Sequence, residues 1–274
     1  MQISLIVATY GRSRELESLL ESFVQQNCDL SIFEVIIVDQ NDLINLDLIV
    51  AKYTDELNIV HYKTTVKGLS KSKNKGIELA KGSIVTFPDD DSTFYPDTIS
   101  NALNYLHLNP DVDVVYGRIF DRETNQGVMR NWSAEEKELS LMNFSLNYSA
   151  ITCFSRLKIL FDVNYGVGSK ISSGEELDYI IRAINDKNIV KYTPVIEVWH
   201  PELNVKSMSL EKVYNYGYGY GAIMRKNCNL VIFLIFMLSL GYQVMRLILN
   251  VFSKNSANYI QTIKGRVQGF LKLQ

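Results

Sequence analysis

Short apolar runs alternate with segments of helical spacing along the first half of the chain. Ile3 to Ala8 and Phe33 to Val38 are nearly continuous apolar runs, which is typical of strands buried in a parallel sheet. Between them, residues 13–26 place their large apolar side chains on one helix face. This alternation predicts an α/β fold with a mostly parallel sheet and right-handed crossovers. The predicted strands are residues 3–8, 33–38, 58–62, 83–87, 113–116 and 190–199, and the predicted helices are residues 13–26, 46–53, 70–80, 96–108 and 207–226.

Polar residues follow three of the predicted strands at the point where each strand ends. Thr9 follows the first strand, Asp39 the second, and Asp89-Asp90-Asp91 the fourth. Ligands of open α/β sheets bind beyond the carboxyl ends of the strands. We therefore expect these residues to share one rim of the sheet.

The acidic triplet at residues 89–91 carries the first candidate chemistry. Three adjacent carboxylates repel one another unless a positive charge lies between them. A solvated acidic turn explains most such triplets, but this one directly follows a predicted strand and precedes a predicted helix. At that position alternate carboxylates can hold a divalent cation, which in turn can hold a diphosphate.

A second acidic motif, Gly174-Glu175-Glu176-Leu177-Asp178, precedes a predicted helix that includes Arg182. Acidic residues are common at a helix N-terminus because they complement the helix dipole. Alternatively, one of these carboxylates is a general base near an acceptor hydroxyl. The residues alone leave both interpretations open.

Composition narrows the class of protein. The chain of 274 residues is 47 % hydrophobic and 21 % charged, which is typical of a globular protein, and its formal net charge of −2 gives no reason to expect nucleic acid as a partner. The chain starts directly with a strand-like segment, so we expect no secretory signal and a cytosolic protein. No disulfide or metal-ligand spacing joins the three cysteines, Cys28, Cys153 and Cys228.

The most hydrophobic stretch is Leu230 to Phe252, near the C-terminus. If this helix lies in a membrane interface, its polar stripe should face the headgroups. If it spans the membrane, it must bury Arg246 or hide it against another helix. Otherwise it packs on the domain or on a second copy. The polar stripe, at intervals of four, three and four residues, is Ser239, Gln243, Arg246 and Asn250. The flanking basic residues that can meet anionic lipid are Arg225, Lys226 and Lys254.

Together these motifs resemble family 2 glycosyltransferases over roughly residues 2–200. The resemblance rests on the order and spacing of several short motifs rather than on any one of them. They are Thr9-Tyr10-Gly11-Arg12, Asp39, Gly68-Leu69-Ser70, Lys73-Asn74-Lys75-Gly76, Asp89-Asp90-Asp91 with Pro96-Asp97, and Gly174-Glu175-Glu176 with Arg182.

The resemblance implies a GT-A fold, with a Rossmann-like sheet flanked by helices, and assigns roles to residues. Thr9, Tyr10 and Asp39 would hold the nucleoside, and Asp90 the ribose. The implied nucleotide-sugar-binding residues are Thr9, Tyr10, Arg12, Asp39, Lys73, Asp89 and Asp90. The implied ligands of a divalent cation, Mn²⁺ or Mg²⁺, are Asp91, Asp89 and His200.

The implied catalytic residues are Glu176 and Glu175. Glu176 stands where the family usually has the aspartate of a Glu-Asp pair, so the carboxylate is kept on a side chain one methylene longer. This departure leaves open whether Glu175 or Asp178 is the base instead. Lys73 stands where the family often has arginine, which keeps the charge but loses the bidentate geometry.

On this basis we predict an inverting, metal-dependent glycosyltransferase. It would move a sugar from a nucleoside diphosphate sugar, by family habit a UDP-sugar, to a hydroxyl of a lipid-linked saccharide or polysaccharide precursor. We expect a catalytic domain at 1–205, with a nucleotide-sugar-binding half at 1–117 and an acceptor half at 118–205, and a helical membrane-associated region at 206–274. The protein would lie on the cytoplasmic face of the cell membrane, and a homodimer is possible.

Three other classes were weighed against this prediction. Asp89-x-Asp91-x-Thr93 superficially matches the nucleophile motif of haloacid-dehalogenase phosphatases, but that motif belongs near the first strand. A nucleotidyltransferase would need a Gly-rich basic loop after the first strand, and Gly11-Arg12 is too little. A non-catalytic membrane-bound scaffold would not need the full set of acidic positions.

Overall fold

The computed structural model describes residues 2–202, 208–253 and 256–272. Residues 203–207, which contain the predicted domain boundary at 205, and Lys254 lie outside the described residues. The chain divides into two compact units. The sheet unit comprises Met1–Lys67, Lys71–Leu160 and Ala183–Glu202, and the helical unit comprises Gly68–Ser70, Phe161–Arg182 and Leu203–Gln274.

The sheet unit is built on a ten-stranded mixed sheet with strand order β3-β2-β1-β4-β9-β6-β10-β5, in which β7 pairs with β6 and β8 with β10. The pairs β3–β2, β2–β1, β1–β4 and β6–β10 are parallel, and the pairs that β5, β7, β8 and β9 form are antiparallel, so the predicted α/β fold is confirmed with a mixed sheet. The strands are β1 (Ile3–Thr9), β2 (Phe33–Asp39), β3 (Ile59–Lys63), β4 (Ile84–Thr86), β5 (Thr93–Phe94), β6 (Val114–Asp121), β7 (Gln126–Gly127), β8 (Lys137–Glu138), β9 (Cys153–Ser155) and β10 (Val190–Trp199).

Helices cover the sheet because their apolar residues repeat at helical spacing. In α1, the side chains of Leu16, Leu19, Leu20 and Phe23 are fully buried in one core that also takes residues of β1 and β2. The helices of the chain are α1 (Arg14–Val24), α2 (Asp47–Ala51), α3 (Leu69–Leu79), α4 (Thr98–Leu108), α5 (Glu175–Asn185), α6 (Leu210–Lys226), α7 (Leu230–Leu249) and α8 (Ser256–Leu271).

A wide irregularity in β10 depends on a glycine of the neighbouring strand. Tyr192 pairs with Tyr116 and Glu197 with Arg118, so the intervening residues of β10 bulge over Gly117. A Cβ atom on Gly117 would lie 2.2 Å from the carbonyl oxygen of Ile196, which is why no larger residue fits there. The bulge sets the direction in which β10 delivers its last residues and the His200 that follows.

In the helical unit, α6 and α8 approach each other closely through glycine. A Cβ atom on Gly269 would lie 2.0 Å from the Tyr218 carbonyl oxygen, and one on Gly217 would lie 2.7 Å from that of Thr262. The glycines that weaken the helix prediction for residues 207–226 are therefore used for packing, and the predicted helix is confirmed as α6.

The polar stripe of α7 faces α8, and not outwards as the sequence analysis expected for an interfacial helix. Gln243 is buried, Arg246 donates to the Tyr259 hydroxyl at 3.3 Å, and the Ser239 carbonyl accepts from Arg266 at 3.0 Å. The Arg246 guanidinium and the Ser239 carbonyl have hydrogen-bond partners on α8, whereas the Asn250 side chain donates to the Arg246 carbonyl within α7. The apolar side chains are left on the outside. By length and composition alone, the 20 residues of α7, with a mean hydropathy of 2.0, could cross a membrane, and only 17 % of that segment is buried.

Candidate active site

The sheet brings the ends of three strands together at one rim, as predicted. Thr9 at the end of β1 lies opposite Asp39 at the end of β2 in the parallel register. Just beyond β4, Asp89 forms a parallel bridge with Ala8 of β1. Because parallel strands end at the same edge, the acidic triplet and the residues after β1 and β2 lie side by side.

Arg12 compensates the charge of the acidic triplet. Its guanidinium bonds to the Asp90 carboxylate and lies 2.8 Å from Oδ2 of Asp91. Burial raises the pKa of Asp90 above its ordinary value, against the lowering effect of Arg12. Arg12 was predicted to bind the nucleotide sugar; in the structure its guanidinium contacts two of the three carboxylates.

His200 lies on the other side of Asp91. Its Nδ1 donates to the Pro201 carbonyl at 2.7 Å, which leaves Nε2 turned to the triplet, 3.3 Å from Oδ1 of Asp91. Burial alone would lower the pKa of His200, but the hydrogen bond and charge of Asp91, with Asp89, raise it overall. Burial likewise acts to raise the pKa of Asp91, but His200 and Arg12 outweigh it and lower this pKa.

Asp89, Asp91 and His200 fit a divalent cation by the chemistry of their donor atoms. One atom from each residue lies within 4.8 Å of the others, as expected when all three point at one centre. When Nδ1 donates to a backbone carbonyl, the neutral imidazole presents the lone pair of Nε2, the arrangement usual in histidines that bind metals. That lone pair beside a carboxylate oxygen is repulsive unless a proton or a cation lies between them.

Two arginines fix the end of β10 that leads to His200. Nε of Arg118 donates to Oε1 of Glu197 at 2.9 Å, and Nε of Arg122 donates to Oε2 at 2.6 Å. The Thr98 hydroxyl donates to the Glu197 carbonyl at 2.6 Å. Glu197 is thus held from three directions, which limits how far the strand end can move.

The predicted nucleoside residues occupy the neighbouring part of the rim. Asp39 is buried, and its carboxylate accepts from the Asn41 backbone N–H at 2.9 Å and lies 3.0 Å from Nε2 of His61. Tyr10 is 60 % exposed, and the ammonium of Lys67 lies 4.8 Å from its ring centroid. An exposed aromatic ring beside buried polar groups is suited to stacking against a base.

Three further residues of the rim, His61, Asn41 and Lys67, were not among the predicted site residues. The pairing of β2 with β3 could have identified His61. Asp39 lies opposite Lys63, and His61, two residues before Lys63, points to the same face of the sheet. Lys73, predicted to contact the donor, is buried on α3 with its ammonium 5.9 Å from the Phe87 ring centroid. It therefore lies beneath the loop that carries the acidic triplet rather than on the surface.

The second acidic motif lies at the start of α5 in the helical unit. Glu175 is buried against Gly166, where a Cβ atom would lie 3.3 Å from the Glu175 carboxylate, whereas Glu176 is only partly buried. Gly166 and Gly174 have φ angles of 98° and 102°, a region that glycine adopts without strain. Of the two predicted catalytic residues, Glu176 is the more accessible.

Asp178 holds α5 to the end of α6. Its side chain is 0 % exposed and accepts from Nε of Arg182 at 2.8 Å and Nδ2 of Asn227 at 3.0 Å, with the Lys226 ammonium at 2.9 Å. These three donors already hold the carboxylate, which is closed to solvent. The geometry therefore argues against Asp178 as the base and leaves Glu176 and Glu175.

Comparison with known proteins identifies the class. The model of glycosyl transferase family 2 matches residues 4–164, more than half of the chain. The chain is 26 % identical over 193 residues to an uncharacterized glycosyltransferase of Haemophilus influenzae, covering 69 % of this chain and 64 % of that protein. It is 25 % identical over 193 residues to the poly(ribitol-phosphate) β-N-acetylglucosaminyltransferase TarS of Staphylococcus aureus, covering 69 % of this chain and 33 % of TarS.

Solved structures show the same fold. TarS 1–349 with UDP-GlcNAc aligns at a TM-score of 0.66 and 20 % identity, covering 98 % of this chain and 82 % of that one. A mannosyltransferase from Pyrobaculum calidifontis, with GDP-Man and Mn²⁺, aligns at 0.70 and 13 % identity, covering 98 % and 86 %. The fold is therefore that of the GT-A glycosyltransferases, as predicted. The chain belongs to glycosyl transferase family 2, and the match leaves the phosphatase hypothesis without support. It spans less than two thirds of the length of the curated relatives named here.

The buried position of Asp178 predicts a measurable loss of stability. In Asp178→Asn the size is kept, but Arg182 and Lys226 lose a buried charged acceptor, so the free energy of unfolding should fall by about 1.5–3 kcal/mol. Urea unfolding followed by circular dichroism measures it. The control is Asp186→Asn, an exposed carboxylate just after α5, which should change stability by less than about 0.5 kcal/mol. Equal effects of the two substitutions would contradict a structural role for Asp178.

Proposed function

We propose that this chain is an inverting, metal-dependent glycosyltransferase that uses a nucleoside diphosphate sugar, specifically a UDP-sugar. The observation that carries the proposal is the convergence of Asp89, Asp91 and His200 on one point at the strand rim, beside Arg12. Support comes from the solved neighbours of the same fold, one with UDP-GlcNAc and one with GDP-Man and Mn²⁺.

In this proposal the two parts of the rim bind two parts of the donor. Thr9, Tyr10 and Asp39 hold the nucleoside, and Asp90 contacts its ribose. Asp91 and Asp89, with His200, hold a divalent cation, Mn²⁺ or Mg²⁺. When bound, the cation neutralises negative charge on the diphosphate leaving group. Arg12 keeps the adjacent carboxylates in place when the donor leaves.

The reaction needs one proton transfer by the protein. Glu176 accepts the proton of an acceptor hydroxyl, and that oxygen forms a bond to the anomeric carbon from the face opposite the diphosphate. The bond from that carbon to the diphosphate oxygen breaks, and the electron pair leaves with the nucleotide. A single displacement inverts the anomeric configuration, so no covalent intermediate is required.

For the acceptor, we propose a hydroxyl of a lipid-linked saccharide or polysaccharide precursor. TarS is named for its action on poly(ribitol-phosphate). A glucosyl-dolichyl phosphate glucuronosyltransferase of Haloferax volcanii is 32 % identical over 122 residues, covering 43 % of this chain and 38 % of that protein. Because a lipid-linked acceptor is held at a membrane, we place the enzyme on the cytoplasmic face of the cell membrane, with residues 1–205 as catalytic domain and 206–274 as membrane-associated region.

Nucleotide binding tests the donor site. Titration calorimetry with UDP, GDP and dTDP, each with and without Mn²⁺, should show one nucleotide, UDP, that binds in a metal-dependent way. In Asp91→Ala the gain in UDP affinity on adding Mn²⁺ should vanish. Removing a residue that only supports a metal ligand costs about 10–100-fold in metal affinity, so loss of a ligand should cost at least as much. The control is Asp111→Ala, an exposed carboxylate of the same unit, which should bind as the wild type does. If none of the three nucleotides binds under either condition, the donor site is wrong.

Turnover tests the base. Release of UDP from UDP-sugars with water as acceptor should fall by about 10²–10⁴-fold in Glu176→Gln, while the affinity for UDP stays unchanged. Glu175→Gln is the decisive comparison because the two side chains are adjacent. The control is Glu56→Gln, an exposed residue of the sheet unit. A full rate in Glu176→Gln with a lost rate in Glu175→Gln would transfer the role to Glu175.

A further inference from the structure

The outward side of α7 is an uninterrupted apolar surface. Twelve large apolar residues between Leu230 and Phe252 are each at least 41 % exposed. We call this surface the outer face of α7; Leu234, Leu238, Ile248 and Leu249 are among its members. It presents on the order of 1,000 Å², whereas the largest apolar patch on an ordinary soluble monomer is about 300–600 Å².

The opposite side of α7 is committed to α8. The two helices run antiparallel, with Phe236 stacked on Phe270 at 4.2 Å near one end and Arg246 over Tyr259 at 4.7 Å near the other. The polar stripe lies in this contact. Because α8 covers that side, whatever covers the outer face meets α7 from one direction only.

Charge is distributed unevenly along the chain. Residues 212–274 contain eight Lys or Arg residues and no Asp or Glu, although the whole chain has a formal net charge of −2. Arg225 and Lys272 are exposed, and the Arg225 guanidinium lies 5.8 Å from the Phe270 ring, which places it near the start of α7. Exposed cations thus lie near the start of the apolar surface, and no acidic residue occurs in the same part of the sequence.

We propose that the outer face of α7 docks on an anionic lipid bilayer with the helix lying in the plane of the membrane. The proposal deepens the membrane location given under the proposed function and rests on it. The apolar side chains enter the acyl boundary of one leaflet, and the basic residues meet the anionic headgroups. This surface would hold the enzyme at the membrane where a lipid-linked acceptor is found.

The same observations disfavour a membrane-spanning α7. The helix is about 30 Å long, enough to cross the hydrocarbon core. However, α8 packs along it and carries Gln261, Lys264 and Arg266 within its 16 residues. A spanning α7 would draw these polar and charged groups into the bilayer, which is costly. An in-plane α7 leaves α8 outside the hydrocarbon.

A second copy of the chain is the other partner that fits the outer face of α7. Pairing two outer faces would bring together two segments that each carry only positive charge, and such like charges repel. An anionic bilayer instead supplies the opposite charge over a wide surface. Charge complementarity therefore favours lipid over a dimer.

Flotation of the full chain with vesicles tests the docking surface. Wild type should float with phosphatidylcholine vesicles containing about one third phosphatidylglycerol and bind pure phosphatidylcholine at least about tenfold more weakly. The triple variant Leu234→Gln, Leu238→Gln and Leu249→Gln should lose at least about tenfold in apparent affinity. The matched control replaces Leu43, Leu48 and Leu108 of the sheet unit, which are at least 80 % exposed, with glutamine; its binding should stay unchanged.

Every alternative outcome overturns the proposal. Failure of wild type to float with anionic vesicles, or equal losses in the triple variant and its control, removes the docking surface. A wild-type dimer by light scattering that the triple variant dissociates assigns the face to a second copy. Retention in the membrane after alkaline carbonate extraction assigns α7 to spanning.

Nucleotide binding separates this proposal from the proposed function. The triple variant alters only exposed side chains of α7, so its metal-dependent affinity for UDP should equal that of wild type. If wild type binds UDP but not vesicles, the docking surface fails and the transferase assignment stands. If it binds vesicles but no nucleotide, the donor site fails and the docking surface stands.

Discussion

The sheet unit depends on how three adjacent carboxylates are tolerated at the end of β4. Buried parallel strands place Asp89–Asp91 at the rim, and their mutual repulsion has to be offset by nearby positive charge. Arg12, from the segment after β1, bonds to two of them, and His200, from the segment after β10, approaches from another side. The bulge over Gly117 and the two arginines on Glu197 set where His200 arrives. A divalent cation bound here would offset the remaining negative charge of the acidic triplet. It would also offset the negative charge of a bound diphosphate.

A different constraint shapes the helical unit. Glycines let α6 and α8 approach until backbone meets backbone, and Asp178 ties the start of α5 to the end of α6 through Arg182, Asn227 and Lys226. The motif that contains Glu175 and Glu176 is therefore held by the same unit that carries the apolar helix α7. The polar stripe of α7 lies on the side that contacts α8, so the exposed surface of α7 is almost entirely apolar. Within this one unit the catalytic candidates and the membrane candidate share a scaffold.

Much of the fold and of the candidate site was predictable from the sequence. Long buried strands and amphipathic helices leave periodic patterns, so β1, β2, α1 and the rim that collects Thr9, Asp39 and the triplet were predictable. Strands of two or three residues, such as β5, β7 and β9, are too short to show a periodic pattern of apolar positions. Residues 118–150 accordingly carried no clear pattern from which elements could be predicted. The stripe of α7 was recognised, but not its partner, because a stripe does not tell whether headgroups or another helix will satisfy it. His61 was missed because its importance arises only from the pairing of β2 with β3.

The central claim is that Asp89, Asp91 and His200 bind one divalent cation together. Pulsed electron paramagnetic resonance of the protein with Mn²⁺ and UDP tests it most directly, because a coordinated imidazole nitrogen couples to the manganese spin. If His200 is a ligand, the wild type should show a nitrogen coupling that disappears in His200→Gln while Mn²⁺ stays bound through the carboxylates. A manganese signal without nitrogen coupling in the wild type, or the same coupling in His200→Gln, would contradict it.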